Sequence, residues 1–183
     1  HVHLRRQRQM CIRDRNVALS ELPNFKCLPS SGVSDHHKSG IIFAPTLSYM
    51  DKAFTDAKKY GWSKNPIVEM LIPSTVDSSL APKGKHVASL FCQQFAPNLP
   101  NNRSWHDERD KAAATIIDTV NKFAPNFKDS IIGSSILSPL DLEEKLGLLG
   151  GDIMHGVMSL DQMWAARPAV SYTHLTLPTK VYV

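Results

Sequence analysis

Apolar residues recur along this chain with two periods, and the switches between them mark its elements. In 48–60 they fall at Met50, Ala53, Phe54 and Ala57, the spacing of one helix face. Ser48 with Asp51 three residues on reads as a capping-type start, and Gly61 as the stop. The longest helix starts at Ser104, with Asp107 at the capping-box spacing. It aligns Trp105, Ala112, Ile116, Val120 and Phe123 on one face and ends at Pro125. Ser138-Pro139-Leu140-Asp141 opens another, with an N-cap, a proline at N1 and an acidic N3, and Gly147 closes it.

Strand patterns lie between these helices. Residues 67–72, IVEMLI before Pro73, predict a buried strand. Residues 87–95, VASLFCQQF, predict a second, with Val87, Phe91 and Phe95 on one side and Ala88, Leu90 and Cys92 on the other. Weaker strand signals occupy 17–22, 41–43 and 131–137. PSSGVSDHHKS (29–39) and PSTVDSSLAPKGK (73–85) read as loops. Strands and helices without regular βαβ alternation predict an α+β fold, a mixed sheet with packed helices.

The 183 residues, 42% of them hydrophobic, favour one domain with at most an appendage. A chain of this size buries roughly 70% of its unfolded surface, so disorder is not its main state. No apolar run approaches the roughly 20 residues that cross a bilayer. Cys11, Cys27 and Cys92 are odd in number and widely spaced, which argues against a disulfide scaffold or a zinc ribbon.

Charge changes the picture of the ends. The net charge of +4 is concentrated in HVHLRRQRQMCIRDR, residues 1–15, which looks like a basic nucleic-acid arm or an Arg-rich presequence. Yet Arg5 to Asp14, back-translated as CGT CGG CAG CGT CAG ATG TGT ATA AGA GAC, reads on the opposite strand as Val-Ser-Tyr-Thr-His-Leu-Thr-Leu-Pro-Thr. That is Val170 to Thr179 of the same chain. No folding requirement relates a peptide to its antisense translation. Residues 1–15 and 170–183 therefore resemble translated sequencing-library adapter around a fragment truncated on both sides, and are set aside as non-native. What remains, 16–169, has 15 basic and 16 acidic residues by subtraction. The electrostatic case for nucleic acid goes with the ends.

No GxGxxG after a strand, no phosphate-binding GxxxxGKS/T, no HExxH and no GxSxG occurs. Cys92 with His86 or His106 has the residue types of a nucleophile and base, but its place in an apolar strand reads as a small buried hydrophobe. His36 and His37 have metal-ligand chemistry. Adjacent side chains usually splay apart and no third ligand is spaced to join them, so a solvated loop or a partner contact is the reading and no metal is expected. The segment 147–168, GLLGGDIMHGVMSLDQMWAARP, is the most informative. Gly150, Gly151 and Gly156 surround Asp152 and His155. Glycine at that density suits a backbone passing close to another segment or a flat ligand, and equally a tight turn after a helix with Gly147 as its C-cap.

LPNFKCLP (22–29), EMLIPSTVDSSLAPKGKHVASLFCQ (69–93), FAPNFKDSIIGSSILSPLDLE (123–143) and GGDIMHGVMSLDQMWAARP (150–168) together resemble the phytoene dehydrogenase-like FAD-dependent oxidoreductases. The resemblance covers essentially all of 16–168. It implies a fragment of an amine-oxidase-like FAD-dependent fold: 16–149 as part of the substrate domain and 150–169 as the return segment toward the FAD domain. The family's N-terminal GxGxxG turn and C-terminal glycine-rich flavin segment are absent from this sequence.

By the same resemblance Gly150, Gly151, His155, Gly156 and Arg167 are the expected cofactor-binding residues, with Asp152, Ser159, Leu160, Asp161, Gln162 and Pro168 in the matching motif. His155 is the one candidate catalytic residue. The implied activity is hydride transfer from an organic substrate, of apolar type, to flavin, with an electron acceptor the sequence does not identify. The fragment itself is expected to be inactive. The alternative is a noncatalytic, partner-binding or regulatory protein on a flavoprotein fold. A bacterial parent implies a cytoplasmic location and a eukaryotic relative a mitochondrial one.

Overall fold

Three prolonged helices form where the apolar spacing and the caps place them, and five strands take up the chain between. The computed structural model describes residues 13–152, all within one compact unit. In order they are β1 (Arg13–Leu19), β2 (Ile41–Phe43), α1 (Leu47–Tyr60), β3 (Ile67–Leu71), β4 (His86–Gln93), α2 (Trp105–Phe123), the single turn α3 (Phe127–Ser130), β5 (Ile131–Leu137) and α4 (Pro139–Leu146). The fold is α+β, as expected.

The sheet has the order β2-β3-β4-β1-β5, and all four pairings are antiparallel. The expected mixed sheet is thus corrected. β4 and β5, joined through α2, run in the same direction, but β1 lies between them and separates the parallel pair. β1 also differs from the expected 17–22. It begins at Arg13, crosses the assigned limit at residue 15, and ends at Leu19 after a register shift between Ala18 and Leu19. Arg13 faces Cys92 and Asp14 faces both Phe91 and Leu137, through backbone pairing that any side chain allows.

One face of the sheet and α2 make the core. Val17 and Leu19 of β1, Val68 and Met70 of β3, and Ala88, Leu90 and Cys92 of β4 alternate inward. They form one cluster with Phe43 and with Ala112, Ile116, Ile117 and Val120 of α2. Phe95 belongs to this cluster too, buried to 1% exposure, although strict alternation places it with Val87 and Phe91. Gln94 adopts φ 67°, which turns the chain by one residue after β4 and reverses the parity. The Trp105 indole N–H then reaches Ala96 O at 3.0 Å and Pro97 O at 3.1 Å, pinning this bend to the first turn of α2.

Two caps are as the sequence places them and one is not. Ser104 caps α2 by accepting the His106 N–H at 3.1 Å. Ser138 and Asp141 form the reciprocal box of α4. For α1 the cap is Thr46, whose Oγ1 accepts the Tyr49 N–H at 3.1 Å, so the helix starts before the expected Ser48. The loop 73–85 contains two short 3-10 turns, Pro73–Thr75 and Ser78–Leu80. Among the described residues no helix is long and apolar enough to cross a membrane.

Candidate functional site

The glycine-rich turn that follows α4 is built from the helix outward. Ser138 Oγ accepts the Asp141 N–H at 3.1 Å, while Asp141 Oδ2 accepts the Ser138 N–H at 2.8 Å and its hydroxyl at 2.6 Å. Burial pushes the Asp141 carboxyl up, but the two Ser138 hydrogen bonds and Lys145, 3.0 Å away, outweigh it and bring the pKa down to about 2. At the other end Gly147 stands in the left-handed region, φ 67°. Its N–H meets Glu143 O and the Leu148 N–H meets Leu142 O, the two-bond closure that glycine permits. Gly147 is therefore the C-cap that the turn reading requires.

A 3-10 turn, Leu149–Gly151, comes next. Gly150 and Gly151 both hold φ 67°. The Gly150 N–H donates to the Glu143 carboxylate at 2.8 Å. A Cβ on Gly151 would stand 2.7 Å from Pro139 Cα and 2.9 Å from Pro139 O, so this glycine lets the turn press on the start of its own helix. Of the two sequence readings of these glycines, close approach to another chain segment describes Gly151. Asp152 is buried, at 3% exposure. His155, Gly156, Ser159, Leu160, Asp161, Gln162, Arg167 and Pro168 lie outside the described residues.

A histidine cluster sits elsewhere, and here the sequence expectation is corrected. His36 and His37 lie in a 3-10 turn, Asp35–Lys38, which brings their ring centroids to 4.0 Å instead of splaying them. His37 is fully buried rather than solvated. Its Nδ1 accepts the Ser34 N–H at 3.1 Å, which leaves Nε2 to donate to Pro23 O at 2.9 Å. The ring thus ties 23–25 to the 34–38 turn. The Thr75 hydroxyl, bonding His37 O at 3.0 Å, adds the segment after β3. The local signal for this staple was Ser34 three residues before His37, a capping spacing with an imidazole in place of a carboxylate. His86 completes the cluster through Ser74 Oγ, 3.5 Å from its Nδ1. Burial, with repulsion from His37, holds both the His36 and the His86 pKa below the ordinary value, although Asp35 opposes this at His36. Among the described residues no three His, Cys, Asp or Glu side chains group so as to hold a metal ion.

Cys92 is fully buried in the core, its thiol 3.7 Å from Leu90 O. His86 stands six residues away on the same strand, about 20 Å at the rise of a β-strand. His106 is exposed on α2. The structure brings neither histidine into a nucleophile-and-base pair with Cys92. Cys27 is exposed and unbridged.

No family model matches the sequence. The chain is similar to pyridine nucleotide-disulfide oxidoreductase domain-containing protein 2 of Rattus norvegicus, with 38% identity over 170 residues, covering 90% of this chain and 29% of that protein. The Mus musculus protein of the same name shows the same identity and coverage. The chain therefore spans less than a third of the length of these curated relatives. The match leaves only about 18 residues of this chain unaligned, fewer than the 29 of the two end segments, so it reaches into at least one of them.

Proposed function

We propose that this chain is a fragment of a FAD-dependent oxidoreductase of the phytoene dehydrogenase-like class, with an amine-oxidase-like fold in the intact parent. The observation that carries the reading is the 38% identity over 90% of the chain to proteins named for an oxidoreductase domain. Residues 16–149 are then part of a substrate domain, and 150–169 return toward the flavin domain. The antisense relation of the two ends supports treating their outer parts as translated adapter.

A one-sided core suits a substrate domain. The inward face of the sheet is occupied by α2, while the opposite face carries Ile42, Glu69, Leu71, Val87, Ser89 and Phe91, with Ile42 and Leu71 exposed. In a longer parent that partly apolar face would form a wall against an organic substrate. Its role would be to orient the substrate and exclude water.

The described part of the expected cofactor site does not fit a flavin as it stands. The Gly150 N–H is taken by Glu143, and the Cα face of Gly151 is filled by Pro139. The five antiparallel strands offer no strand, glycine-rich turn and helix of the dinucleotide-binding kind. This chain alone is therefore expected neither to bind FAD tightly nor to turn over. Disulfide chemistry, which the relatives' name mentions, has no paired cysteines among the described residues.

The test is to recover the flanking DNA and purify the intact parent. A yellow protein whose flavin absorbance is bleached anaerobically by an organic substrate supports the oxidoreductase. A colourless protein that takes up no FAD supports the partner-binding alternative and removes this reading.

A further inference from the structure

A cleft of about 580 Å³ opens where the end of α1 meets the segment leading into β3. It is lined by Lys52, Asp56, Tyr60, Trp62, Lys64, Asn65 and Arg103, three cations and one carboxylate. The carboxylate is already committed. Asp56 Oδ2 accepts the hydroxyl of buried Ser63 at 2.9 Å, and Oδ1 lies 3.5 Å from Lys52. Ser63 Oγ in turn accepts the Asn65 N–H at 3.1 Å, and the Asn65 carbonyl takes the Lys122 ammonium at 2.6 Å. A fourth cation thus stands behind the wall.

Arg103 is fixed rather than loose. Its Nε donates to Pro100 O at 3.3 Å, a second nitrogen donates to Tyr60 O, and a third lies 3.6 Å from Glu108. The guanidinium sits 5.1 Å over the Trp62 ring, which is backed by Trp105 at 5.5 Å. By contrast Lys64 is exposed at the cleft and has no hydrogen bond or ion pair among the described residues. The half-exposed Tyr60 ring supplies a planar side.

We propose that this cleft binds a small organic phosphate with a planar ring, the phosphate held by Lys64 and Lys52 in the field of the fixed Arg103 guanidinium and the ring laid beside Tyr60. The size falls within the roughly 300–1,000 Å³ usual for small-molecule sites. Lysines serve phosphate as point charges, and the fixed arginine adds a third positive charge beside them. Neither the flavin reading nor the glycine turn enters this inference, so it stands or falls separately.

Calorimetric titration of the full 183-residue chain with adenosine monophosphate, inorganic phosphate, and phosphatidylcholine vesicles containing phosphatidic acid tests it. Saturable one-to-one binding of the nucleotide is expected, tighter than inorganic phosphate. Lys64→Glu should weaken it at least about tenfold and Lys52→Ala by about threefold, while Lys83→Glu on the 73–85 loop leaves it unchanged. Binding to vesicles alone, equal loss in Lys64→Glu and Lys83→Glu, or no saturable nucleotide binding at millimolar concentration each overturns the proposal.

Discussion

Pro139 Cα lies 2.7 Å from the point where a Cβ on Gly151 would stand, so the first residue of α4 and the turn beyond its last are in backbone contact. Gly147 holds the same φ of 67° with nothing within 4 Å of its own Cβ position. The two positions separate strain from contact. Gly147→Ala should lose about 1–2 kcal/mol, the conformational cost of an L residue there. Gly151→Ala should lose about 2–4 kcal/mol, because Pro139 must also move. Urea unfolding of both variants measures the difference, and equal losses would show the Gly151 approach to be looser than described.

Ser138→Ala removes both acceptor and donor from the α4 box. A loss of about 1–2 kcal/mol is expected from the cap, and the Asp141 pKa should rise toward its ordinary value. Because the folded pKa lies below the unfolded 3.8, Asp141 stabilises the fold above that value and the contribution fades as pH falls toward about 2. Carboxyl titration by NMR in the wild type and in Ser138→Ala reads the shift directly.

The histidine cluster has the opposite charge logic. His36 and His86 take protons less readily in the folded chain than in the unfolded one, whose ordinary value is 6.5. Their contribution is complete above that value and is lost as pH falls below it. Urea midpoints should therefore drop between about pH 7.5 and about pH 5, and less so in a His36→Asn, His86→Asn double variant. His37→Ala should cost about 2–3 kcal/mol, since it strands the Ser34 N–H and Pro23 O and empties a buried site. An unchanged midpoint in that variant would show the ring not to be the staple.

Backbone pairing at 13–15 makes a prediction about the ends. A chain starting at Asn16 loses the β1 rungs facing Cys92, Phe91 and Leu90, whatever the origin of those residues. It should melt several degrees below one starting at Arg13, at roughly 0.5–1.5 kcal/mol for each hydrogen bond removed. Equal melting temperatures would place the functional start of the strand at Asn16.

Local signals carried most of the elements. Ser104 and Ser138 caps, Gly61 and Gly147 stops, and the Ala112, Ile116, Val120 stripe each act within a few residues, so spacing reveals them. Phe95 was misplaced because the parity change sits in the φ of Gln94, a polar residue with no glycine to mark it. The antiparallel sheet stayed hidden because β1 reaches β5 across more than a hundred residues, and strand order leaves no periodic trace. The His36 and His37 ring contact depended on a 3-10 turn that short polar sequences do not announce. At the glycine site, the sequence marked Gly150 and Gly151 as places for close approach, but the neighbours that fill that space, Glu143 and Pro139, are set by the way α4 closes on itself.

The position of β1 also governs when this sheet can be completed. It comes before the other described strands in sequence, yet its two neighbours arrive near residues 86–93 and 131–137. A nascent chain must hold this strand unpaired until β4 emerges, and one edge of it until α2 and β5 follow. Long-range pairing of this kind slows folding and lengthens exposure to aggregation. A pause in synthesis before β4 therefore leaves β1 with neither partner, whereas a pause after β4 leaves only its β5 edge open.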